Sequence, residues 1–486
     1  MNRQLLFYDK GDVLMKVAVI GAGASGLTAA YKLTQKDITV DVYESGQTVG
    51  GLGKTIDLWG QKVDLGPHRF FSNDIRINKL WLELAGNDYQ IINRLTSIYY
   101  KNKFYFYPLK PFDALIKLGF IESGKCILSY MKEKIWTTEQ DGTFENWVVS
   151  RFGRRLFEIF FKTYSEKLWG IPCKQLDADF AAQRIKNLSL FEALKNALLG
   201  GKDNKHKTLV EQFAYPCYGT GMIYERMANF INAGGGRVYC EKSVRKVIVK
   251  NKKIEAIELE NGEIIKYDYV ISTMPITDLI AGLQDVTEDI KAKASRLSFR
   301  NTILVYLNIQ AIDLFPDNWL YIHSTDLQMG RLTNFRNWSP QLYGNEKSSI
   351  LALEYWCYDR EPLWAERDEN LIKLAGEELR KTGLIKTAKI TDGYVHRIKY
   401  CYPVYERGYR EHLNSVESYL SLIEGLLVIG RYGAFKYNNQ DHSILMGILA
   451  ADNITDGTNH NLWKINTDYE EYQEKTIITK TGLVKT

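Results

Sequence analysis

The sequence predicts an α/β protein in which a discontinuous, Rossmann-like dinucleotide-binding domain is joined to a helical insertion and to an antiparallel β-sheet domain. Three observations lead to this fold class. A glycine-rich turn follows an apolar, β-branched run at residues 16–20 and precedes a segment with helical apolar spacing. Residues 144–170 repeat apolar positions with the period of a helix. Residues 301–309 and 348–356 are typical of strands, which indicates a separate sheet.

The composition is that of an ordinary folded protein. Of the 486 residues, 45% are hydrophobic and 25% are charged, which excludes a disordered chain, a collagen-like fibre and a coiled-coil rod. The formal charge of +5 is small for this length and does not predict nucleic-acid binding. The six cysteines form no CxxC pair, so neither a metal site nor a disulfide framework is expected.

The sequence also bears on where the protein works. No apolar run approaches the ~18 residues that a membrane-spanning helix needs. Residues 1–14 lack the basic and apolar regions of a signal peptide. A reducing, cytoplasmic setting without a membrane span is therefore expected.

The segment GAGASG at residues 21–26 has the glycine spacing of a dinucleotide-binding turn. Gly21 permits the tight turn, Gly23 leaves room for a pyrophosphate, and Gly26 lets the following helix pack closely on the strand. The N-terminus of that helix offers free N–H groups and a partial positive charge to phosphates. A second strand ends in Glu44, which can accept a hydrogen bond from a ribose hydroxyl. Strand, turn, helix, strand and acid together predict a dinucleotide site.

The residues after Glu44 distinguish between FAD and NAD. They read SGQTVGGLGKTID, with a second glycine pair at Gly50 and Gly51. This segment resembles the flavoproteins of the amine oxidase and protoporphyrinogen oxidase group, in which the loop runs beside the flavin pyrophosphate. Leu52 stands where that group usually has an arginine. The resemblance implies FAD as the cofactor.

Four further segments carry a narrower resemblance. They are DLGPHRFFSND, TYSEKLWGIPC with FAAQRIK, NWLYIH with GRLTNFRNWSP, and KYCYPVY with GRYGAFKYNNQDHSILMG. In order and spacing they resemble UDP-galactopyranose mutase, and the last two are closer to its eukaryotic-type members than to the short bacterial ones. The resemblance covers residues 15–455 as spaced motifs, and the final motif is the most specific.

The resemblance implies an isomerase rather than an oxidase. In that family FAD must be reduced, and its N5 atom attacks the anomeric carbon of a nucleotide-diphosphate sugar. The sugar then changes between pyranose and furanose forms with no net redox change. NAD(P)H is a candidate external reductant, and polysaccharide biosynthesis is the implied setting.

Three residues are implied as catalytic. Arg184 and Arg331 match the arginines that hold the diphosphate, and guanidinium groups stabilise the charge that grows on a leaving diphosphate. His68 matches the loop histidine beside the flavin, where a neutral imidazole can accept a hydrogen bond from reduced N5–H. The alternatives are a surface salt bridge for each arginine and a structural role for the histidine.

The other candidate residues form two sets. The substrate set contains phenols that donate to the diphosphate, flat rings that stack on a sugar or base, and one amide, with core packing as the alternative for the rings. Its members are Tyr107, Tyr164, Trp169, Trp319, Trp338, Tyr402, Tyr437 and Asn439. The cofactor set contains the glycine turns, the loop around His68 and the N-terminal end of the helix predicted in the final motif, which would stabilise an anionic reduced flavin. Its members are Gly21, Gly23, Ala24, Ser25, Gly26, Glu44, Ser45, Gly50, Gly51, Leu52, Gly66, Pro67, His68, Val244, Gly430, Arg431, Asn439, Gln440, Asp441 and Ser443.

The domain layout follows from these motifs. The sequence predicts three FAD-binding parts at 15–70, 208–285 and 421–458, which surround two insertions. The other segments are a sheet and substrate segment at 71–109, a helical domain at 110–207 that ends in a mobile loop at 199–207, an antiparallel substrate domain at 286–420, and a polar C-terminal tail helix within 459–486.

Two alternatives to the mutase function are considered. The first is a redox flavoenzyme of the amine oxidase or protoporphyrinogen oxidase type, since a fold does not determine a function. The second is a non-catalytic flavin-binding partner protein. The sugar, the nucleotide, the electron donor, the oligomeric state, which includes a homo-oligomer, and the role of residues 1–14 are left open by the sequence.

Overall fold

The computed structural model describes residues 15–107, 109, 111–179, 212–465 and 476–485. Its strands are β1 (Lys16–Ile20), β2 (Thr39–Tyr43), β3 (Thr55–Leu58), β4 (Gln61–Asp64), β5 (Tyr89–Asn93), β6 (Thr96–Tyr100), β7 (Lys103–Phe106), β8 (Gln212–Pro216), β9 (Arg237–Tyr239), β10 (Val244–Lys250), β11 (Lys253–Leu259), β12 (Ile264–Lys266), β13 (Tyr269–Ser272), β14 (Phe299–Ile309), β15 (Trp319–Ile322), β16 (Arg331–Asn334), β17 (Ser349–Cys357), β18 (Ile390–Pro403), β19 (Leu426–Val428), β20 (Thr476–Thr479) and β21 (Gly482–Lys485). Its helices are α1 (Ala24–Thr34), α2 (Ile75–Ala85), α3 (Pro111–Leu118), α4 (Phe120–Ile135), α5 (Phe144–Phe152), α6 (Arg154–Phe157), α7 (Thr163–Trp169), α8 (Gly221–Ala233), α9 (Ile276–Gly282), α10 (Glu288–Ala294), α11 (Pro340–Tyr343), α12 (Pro362–Ala365), α13 (Asp368–Lys381), α14 (Tyr409–Leu420), α15 (Gly430–Gly433) and α16 (Gln440–Thr455).

A parallel sheet with the strand order β19-β13-β1-β2-β9 forms the centre of the first domain. Its strands come from widely separated stretches of the chain, which confirms the discontinuous α/β fold. Alternate side chains of β1 enter two different cores: Val17 and Val19 pack with helices α1 and α16, whereas Ala18 and Ile20 belong to the core on the other face. Burial on both faces is the reason that this strand is a continuous apolar run.

A sheet with the strand order β18-β14-β17-β16-β15-β6-β7 forms the second domain. Its neighbouring strands are antiparallel except for the parallel pair β15 and β6. Strand β17 is buried along its whole length because both of its faces are covered. Leu351 and Leu353 pack in a core that includes Leu371 and Leu379 of α13, whereas Ile350 and Ala352 face the opposite core.

Helices α3 to α7 form the helical region that the sequence predicts, with one π-helical turn at Glu158–Lys162. Phe144, Phe157 and Phe160 provide much of its core. The expected mobile loop at 199–207 and the candidate residue Arg184 lie outside the described residues.

The C-terminal segment differs from its prediction. Where a polar helix was expected, the described residues form the hairpin β20–β21 after a 3₁₀ turn at Leu462–Lys464. The hairpin is rich in Thr, Ile and Val, which favour strands. It docks on the first domain because the Asn78 amide donates to the backbone and hydroxyl oxygens of Thr476, and the Tyr89 hydroxyl donates to the Thr479 carbonyl.

Across the described ranges, none of the helices is both long enough and apolar enough to cross a membrane.

Two helical glycines give a test of how closely α1 and α16 are packed. A Cβ atom on Gly447 would lie 2.5 Å from the Ser25 carbonyl oxygen, whereas one on Gly124 of α4 would meet no atom of the described residues within 4 Å. We expect Gly447→Ala to lower the free energy of unfolding by about 1–3 kcal/mol, because the two helix backbones must move apart. Gly124→Ala is the matched control and should be neutral or stabilising by up to about 1 kcal/mol. Urea denaturation of both variants measures the difference, and equal stabilities would contradict this packing.

Candidate active site

Two glycine turns meet at the carboxyl end of the parallel sheet. Gly21 and Gly50 have φ angles of 97° and 107°, which favour glycine. The Gly50 amide donates to the Ala22 carbonyl at 2.8 Å, so that the second turn lies directly on the first. A Cβ atom on Gly51 would lie 3.0 Å from the Gly23 Cα. The two turns therefore present a surface made of backbone alone.

Helix α1 begins at this surface. Its N-cap is Gly23, which has no side chain to cap the free N–H groups. The first turn of the helix also contains no acidic residue. The Glu44 carboxylate at the end of β2 accepts hydrogen bonds from the amides of Ala22 and Gly46, each at 2.8 Å. These bonds hold the carboxylate beside the turn. The Ser45 hydroxyl also donates to Oε1 at 3.5 Å, so Oε2 is the oxygen with a further lone pair for a hydroxyl.

A cavity of about 730 Å³ runs from these turns to the second sheet. Its walls come from both domains: the glycine turns, the loop at 65–71 and the segment 430–443 on one side, and strands β15 to β18 on the other. Ligand sites are commonly formed at such domain interfaces.

Arg331 and Glu354 form a buried ion pair in the wall of this cavity. They are directly opposite one another on β16 and β17, and Tyr321 of β15 is the next residue across the sheet. The Nε and Nη2 atoms of Arg331 donate to the two Glu354 oxygens at 2.6 and 2.5 Å, and Nη2 also donates to the Tyr402 hydroxyl at 3.1 Å. Burial opposes the charge of Arg331, but Glu354 raises the pKa of the guanidinium well above its usual value. Arg331 is therefore a permanent cation whose position is set by its carboxylate.

A second guanidinium, that of Arg431, lies near the same tyrosine. Its Nε donates to the Cys401 carbonyl at 2.8 Å and its Nη1 donates to the Asn438 carbonyl at 2.6 Å. The guanidinium carbon lies 4.9 Å from the ring centre of Tyr402 and 4.5 Å from that of Tyr437, which are cation–π distances. Because its hydrogen bonds go to neutral carbonyls, Arg431 contributes positive charge to the cavity.

Tyr402 keeps its proton in this environment. Burial raises the pKa of its phenol well above the usual value, although Arg331 acts in the opposite direction. The hydroxyl accepts a hydrogen bond from Arg331 and so retains its own hydrogen as a donor.

His68 is a neutral imidazole at the cavity wall. Burial, with a further contribution from Arg331 and Arg431, lowers the pKa of His68 to about 3. Its Nδ1 atom is buried and has no hydrogen-bond partner among the described residues. The His68 carbonyl accepts hydrogen bonds from the Thr220 hydroxyl at 3.1 Å and the Gln440 amide at 3.4 Å. The backbone is thus held while one ring nitrogen remains available to a ligand.

A buried carboxylate supports the loop that carries His68. Asp64 accepts hydrogen bonds from the hydroxyls of Thr55, Tyr215 and Thr220 at 2.6 to 2.8 Å. Burial raises the pKa of Asp64 to about 6, although these hydrogen bonds oppose the rise. The network joins the start of the loop to α8 and β8.

Aromatic rings line the end of the cavity beside strands β7 and β15. Tyr107, Trp319 and Tyr321 line the wall, and the rings of Tyr107 and Tyr321 are 4.7 Å apart. The Nε1 atom of Trp319 is buried with no hydrogen-bond partner among the described residues. This end offers flat apolar surfaces with a few polar atoms, which suits a sugar or a base.

The structure brings most of the candidate residues to one cavity. Those that line it are Gly21, Gly23, Ala24, Ser25, Glu44, Ser45, Gly50, Gly51, Leu52, Pro67, His68, Tyr107, Val244, Trp319, Arg331, Tyr402, Gly430, Arg431, Tyr437, Asn439, Gln440, Asp441 and Ser443. Gly26 and Gly66 do not line it. A Cβ atom on Gly26 would lie 2.0 Å from the Gly21 carbonyl oxygen, so this glycine permits close packing, as expected from its place in the turn.

Three aromatic candidates do not reach the cavity wall. Tyr164 stands behind it, stacked on His323 at 4.9 Å between ring centres. Trp169 is fully buried and meets Tyr437 edge-on at 5.7 Å, so it supports the wall from behind. Trp338 packs against Tyr215 at 4.9 Å within a core. The expectation of stacking surfaces at Trp169 and Trp338 is corrected here, because apolar burial holds both rings inside the protein.

Glu354 is the most important residue that the sequence analysis missed. It lies in the predicted strand at 348–356, on the same face as Ile350 and Ala352. A carboxylate at an inward position of an apolar strand is a signal that it has a buried partner. Arg94, Asp278 and Lys399 also line the cavity, and no motif singled them out.

The cavity fits a flavin dinucleotide. The backbone surface of the glycine turns and the start of α1 are suited to a pyrophosphate, and Glu44 to a ribose hydroxyl. The unpartnered Nδ1 of His68 is suited to the ring system, and so are the N–H groups at the start of α16, although Asp441 in that first turn offsets part of the positive helix end. Leu52 provides no charge where an arginine was expected from the flavoprotein resemblance.

Comparisons with known proteins agree with this description. Coproporphyrinogen III oxidase from Staphylococcus aureus is 25% identical over 289 residues, which is 53% of this chain, and the match spans about 60% of the length of that relative. The Mycobacterium bovis coproporphyrinogen III oxidase is 21% identical over 74% of this chain and 81% of its own length. Reduced UDP-galactopyranose mutase has the same fold, with a TM-score of 0.83 and 23% identity over 93% of this chain and 96% of that one.

The resemblance in fold to the mutase is thus confirmed. Residues 24–454, almost the whole of the described chain, match the flavin containing amine oxidoreductases. The chain belongs to that family.

Proposed function

We propose that the protein is an FAD-dependent isomerase that interconverts the pyranose and furanose forms of a nucleotide-diphosphate sugar, without net redox change. One observation supports this function more than any other. The Arg331 guanidinium and the Tyr402 phenol, joined by a hydrogen bond, line a cavity that also contains the dinucleotide turns. An anionic leaving group would meet there the remaining donor of Arg331, whose charge Glu354 partly offsets, the Tyr402 hydroxyl and the positive charge of Arg431, beside the cofactor site.

The diphosphate is proposed to bind between Arg331, Tyr402 and Tyr437. Glu354 holds the Nε and Nη2 side of Arg331, so the guanidinium is already oriented before the substrate arrives. A group oriented in advance loses little entropy when it binds charge that develops during the reaction. The phenols add donors without adding further positive charge. Arg184, which lies outside the described residues, is the proposed second diphosphate arginine.

The sugar and base are proposed to lie against Tyr107, Trp319 and Tyr321. These rings exclude water from one side of the cavity and give flat surfaces for stacking. Exclusion of water matters because an activated sugar would otherwise be hydrolysed. Asn439 is a further polar group at the wall.

His68 is proposed to accept a hydrogen bond through Nδ1. Its pKa of about 3 keeps the imidazole neutral at ordinary pH, so that this nitrogen stays an acceptor. Reduced FAD, when bound, would supply a nucleophilic nitrogen for the anomeric carbon, with NAD(P)H as a candidate source of its electrons. The residues would then serve to position the sugar, to hold the departing diphosphate close, and to keep the neutral acceptor in place.

A second candidate function is a redox flavoenzyme. The coproporphyrinogen III oxidases to which the chain is similar in sequence favour it. The two functions differ in stoichiometry, because an oxidase consumes an electron acceptor with each turnover, whereas an isomerase needs reduced flavin only at the start.

A direct experiment separates the two functions. Purified protein loaded with FAD is reduced with dithionite and incubated without oxygen with a panel of nucleotide sugars, including UDP-galactose. We expect a furanose product by NMR and no stoichiometric loss of reductant. Stoichiometric acceptor reduction with a porphyrinogen, and no furanose from any sugar of the panel, would support the oxidase instead.

The role of Arg331 can be tested against another buried arginine. Arg300 is also buried and paired with a carboxylate, that of Glu361, but it does not line the cavity. We expect Arg331→Lys to weaken UDP binding by about 10- to 100-fold, because a lysine cannot replace the planar set of donors. Arg300→Lys should leave UDP affinity within about twofold while costing similar stability. Calorimetric titration with UDP gives both affinities, and flavin absorbance shows that the cofactor is retained. Equal effects in the two variants would contradict the proposed diphosphate site.

The neutrality of His68 predicts a dependence of stability on pH. Its pKa is about 3 in the folded protein and 6.5 normally, so the unfolded chain binds more protons between these values. Stability therefore falls as the pH drops through 6.5 towards 3. When the pH is lowered from about 7 to about 5, the free energy of unfolding should fall for both proteins. We expect the fall to be about 2 kcal/mol smaller for His68→Gln than for the unchanged protein.

The control for this prediction is His460→Gln at an exposed position, which should retain the full acid sensitivity. Asp64 acts in the opposite direction, because its raised pKa adds stability at low pH that is lost as the pH rises through about 6. Comparison of variants at each pH cancels this contribution. If the free energy of unfolding changed with pH by the same amount in His68→Gln and in the unchanged protein, His68 would not be held neutral.

A further inference from the structure

Helix α4 has two apolar faces, and the described residues cover only one of them. Cys126 and Tyr130 point into the helical core. On the other face Phe120 is 99% exposed, Ile121 80% and Leu128 68%. Met131, Ile135 and the following Trp136 are also more than half exposed. Soluble proteins rarely leave so many large apolar side chains together in water without a binding partner.

The spacing of these side chains gives the face a definite shape. At about 100° per residue, positions 120, 121, 128, 131 and 135 fall within about 100° of the helix circumference. Gly124 lies in the same stripe, and a Cβ atom there would meet no atom within 4 Å, so this side of the helix is open among the described residues. The result is an exposed apolar stripe along one side of the helix.

Lysines border this stripe on both sides. On the same helical projection Lys134 lies at one edge, and Lys125 and Lys132 lie at the other. All three are exposed, and no ion pair joins them to any described residue. The acidic residues of the region are occupied elsewhere: Asp113 pairs with Lys117, Glu122 pairs with Arg155, and Glu133 is buried against Thr138. Glu122 also interacts electrostatically with Lys125, and the Lys134 ammonium lies 5.2 Å from the ring centre of Tyr130. Among the described residues the border of the stripe therefore has three lysines and no carboxylate ion-paired with them.

We propose that α4 is a docking surface for an anionic lipid bilayer, on which the helix lies parallel to the membrane plane. An apolar stripe with lysines at both borders and a tryptophan at its end is the pattern by which helices enter the interface of a bilayer. The apolar side chains would reach the acyl boundary, while the lysines would contact phosphate groups. This inference concerns a surface on the helical region and does not depend on the proposed catalytic function.

Charge distinguishes a bilayer from a second copy of the chain. A two-fold contact would place the stripe against itself and would bring two sets of lysines together, three from each copy, with no ion-paired carboxylate between them among the described residues. An anionic headgroup layer would instead neutralise them. The charge complementarity of the border therefore favours lipid as the occupant.

Vesicle flotation tests this surface with the FAD-loaded full chain. We expect the protein to float with mixed phosphatidylcholine and phosphatidylglycerol vesicles, and far less with phosphatidylcholine alone or at high salt. The double variant Phe120→Ser, Leu128→Ser should bind the mixed vesicles at least about tenfold more weakly, because it removes two apolar side chains from the bilayer. Its unfolding temperature should stay unchanged, since both side chains are exposed.

Matched variants control for general changes in the surface. Ile264→Ser with Leu422→Ser removes two exposed apolar side chains elsewhere and should not affect flotation. Lys125→Glu with Lys132→Glu should abolish the preference for phosphatidylglycerol, whereas Lys266→Glu with Lys347→Glu should retain it.

Three results would overturn the proposal. One is failure of the unchanged protein to float with mixed vesicles, and another is an equal loss of flotation in the stripe variants and their controls. The third is a change in the fold or assembly of the double variant Phe120→Ser, Leu128→Ser. A lower unfolding temperature of this variant would show that the face is covered by another segment of this chain. A halved sedimentation mass would show that it is covered by a second copy of the chain.

Discussion

The ion pair between Arg331 and Glu354 is the constraint on which the rest of the site depends. Glu354 is buried and the Arg331 side chain is 17% exposed, towards the cavity. Removing one partner of a buried pair typically costs about 3–5 kcal/mol, because the other charge remains without compensation. Their cross-strand register leaves the guanidinium one principal orientation, with Nη2 directed at both Glu354 and Tyr402. The second sheet therefore determines where a cation faces the cavity.

The first domain contributes backbone rather than side chains to the same cavity. Gly23 and Gly51 approach so closely that a methyl group on Gly51 would be in tight contact with Gly23, and Gly447 allows α16 to lie directly on α1. These contacts bring the N-terminal ends of both helices to one edge of the parallel sheet. The loop of His68 is held at this edge, because Asp64 at its start accepts a hydrogen bond from the Thr220 hydroxyl and the Gln440 amide donates to the His68 carbonyl. The Tyr306 hydroxyl of the second sheet donates to the Asp64 carbonyl and so connects the start of the loop to that sheet. The proposed dinucleotide site and the two arginines thereby share one wall.

Local residue patterns were sufficient to predict the parallel sheet and its turns. Strand β1, the turn at Gly21 and Gly23, and strand β2 follow from glycine conformation and from burial on both faces, which depend on neighbours in the chain. The same reasoning failed at the C-terminus, where a polar composition suggested a helix. The hairpin β20–β21 forms there because Asn78 and Tyr89, almost four hundred residues earlier, supply its hydrogen-bond partners.

The sequence by itself determined the α/β class, the dinucleotide turns and most of the residues that line the cavity, since short motifs carry these features through local geometry. Only the tertiary structure decided which aromatic rings face the cavity: Trp319 does, whereas Trp169 and Trp338 are packed inside. It also paired Arg331 with Glu354, and it left one face of α4 in contact with water. Each of these outcomes depends on which distant segments meet, and the free energy of burying a side chain is set by those neighbours rather than by its own sequence context.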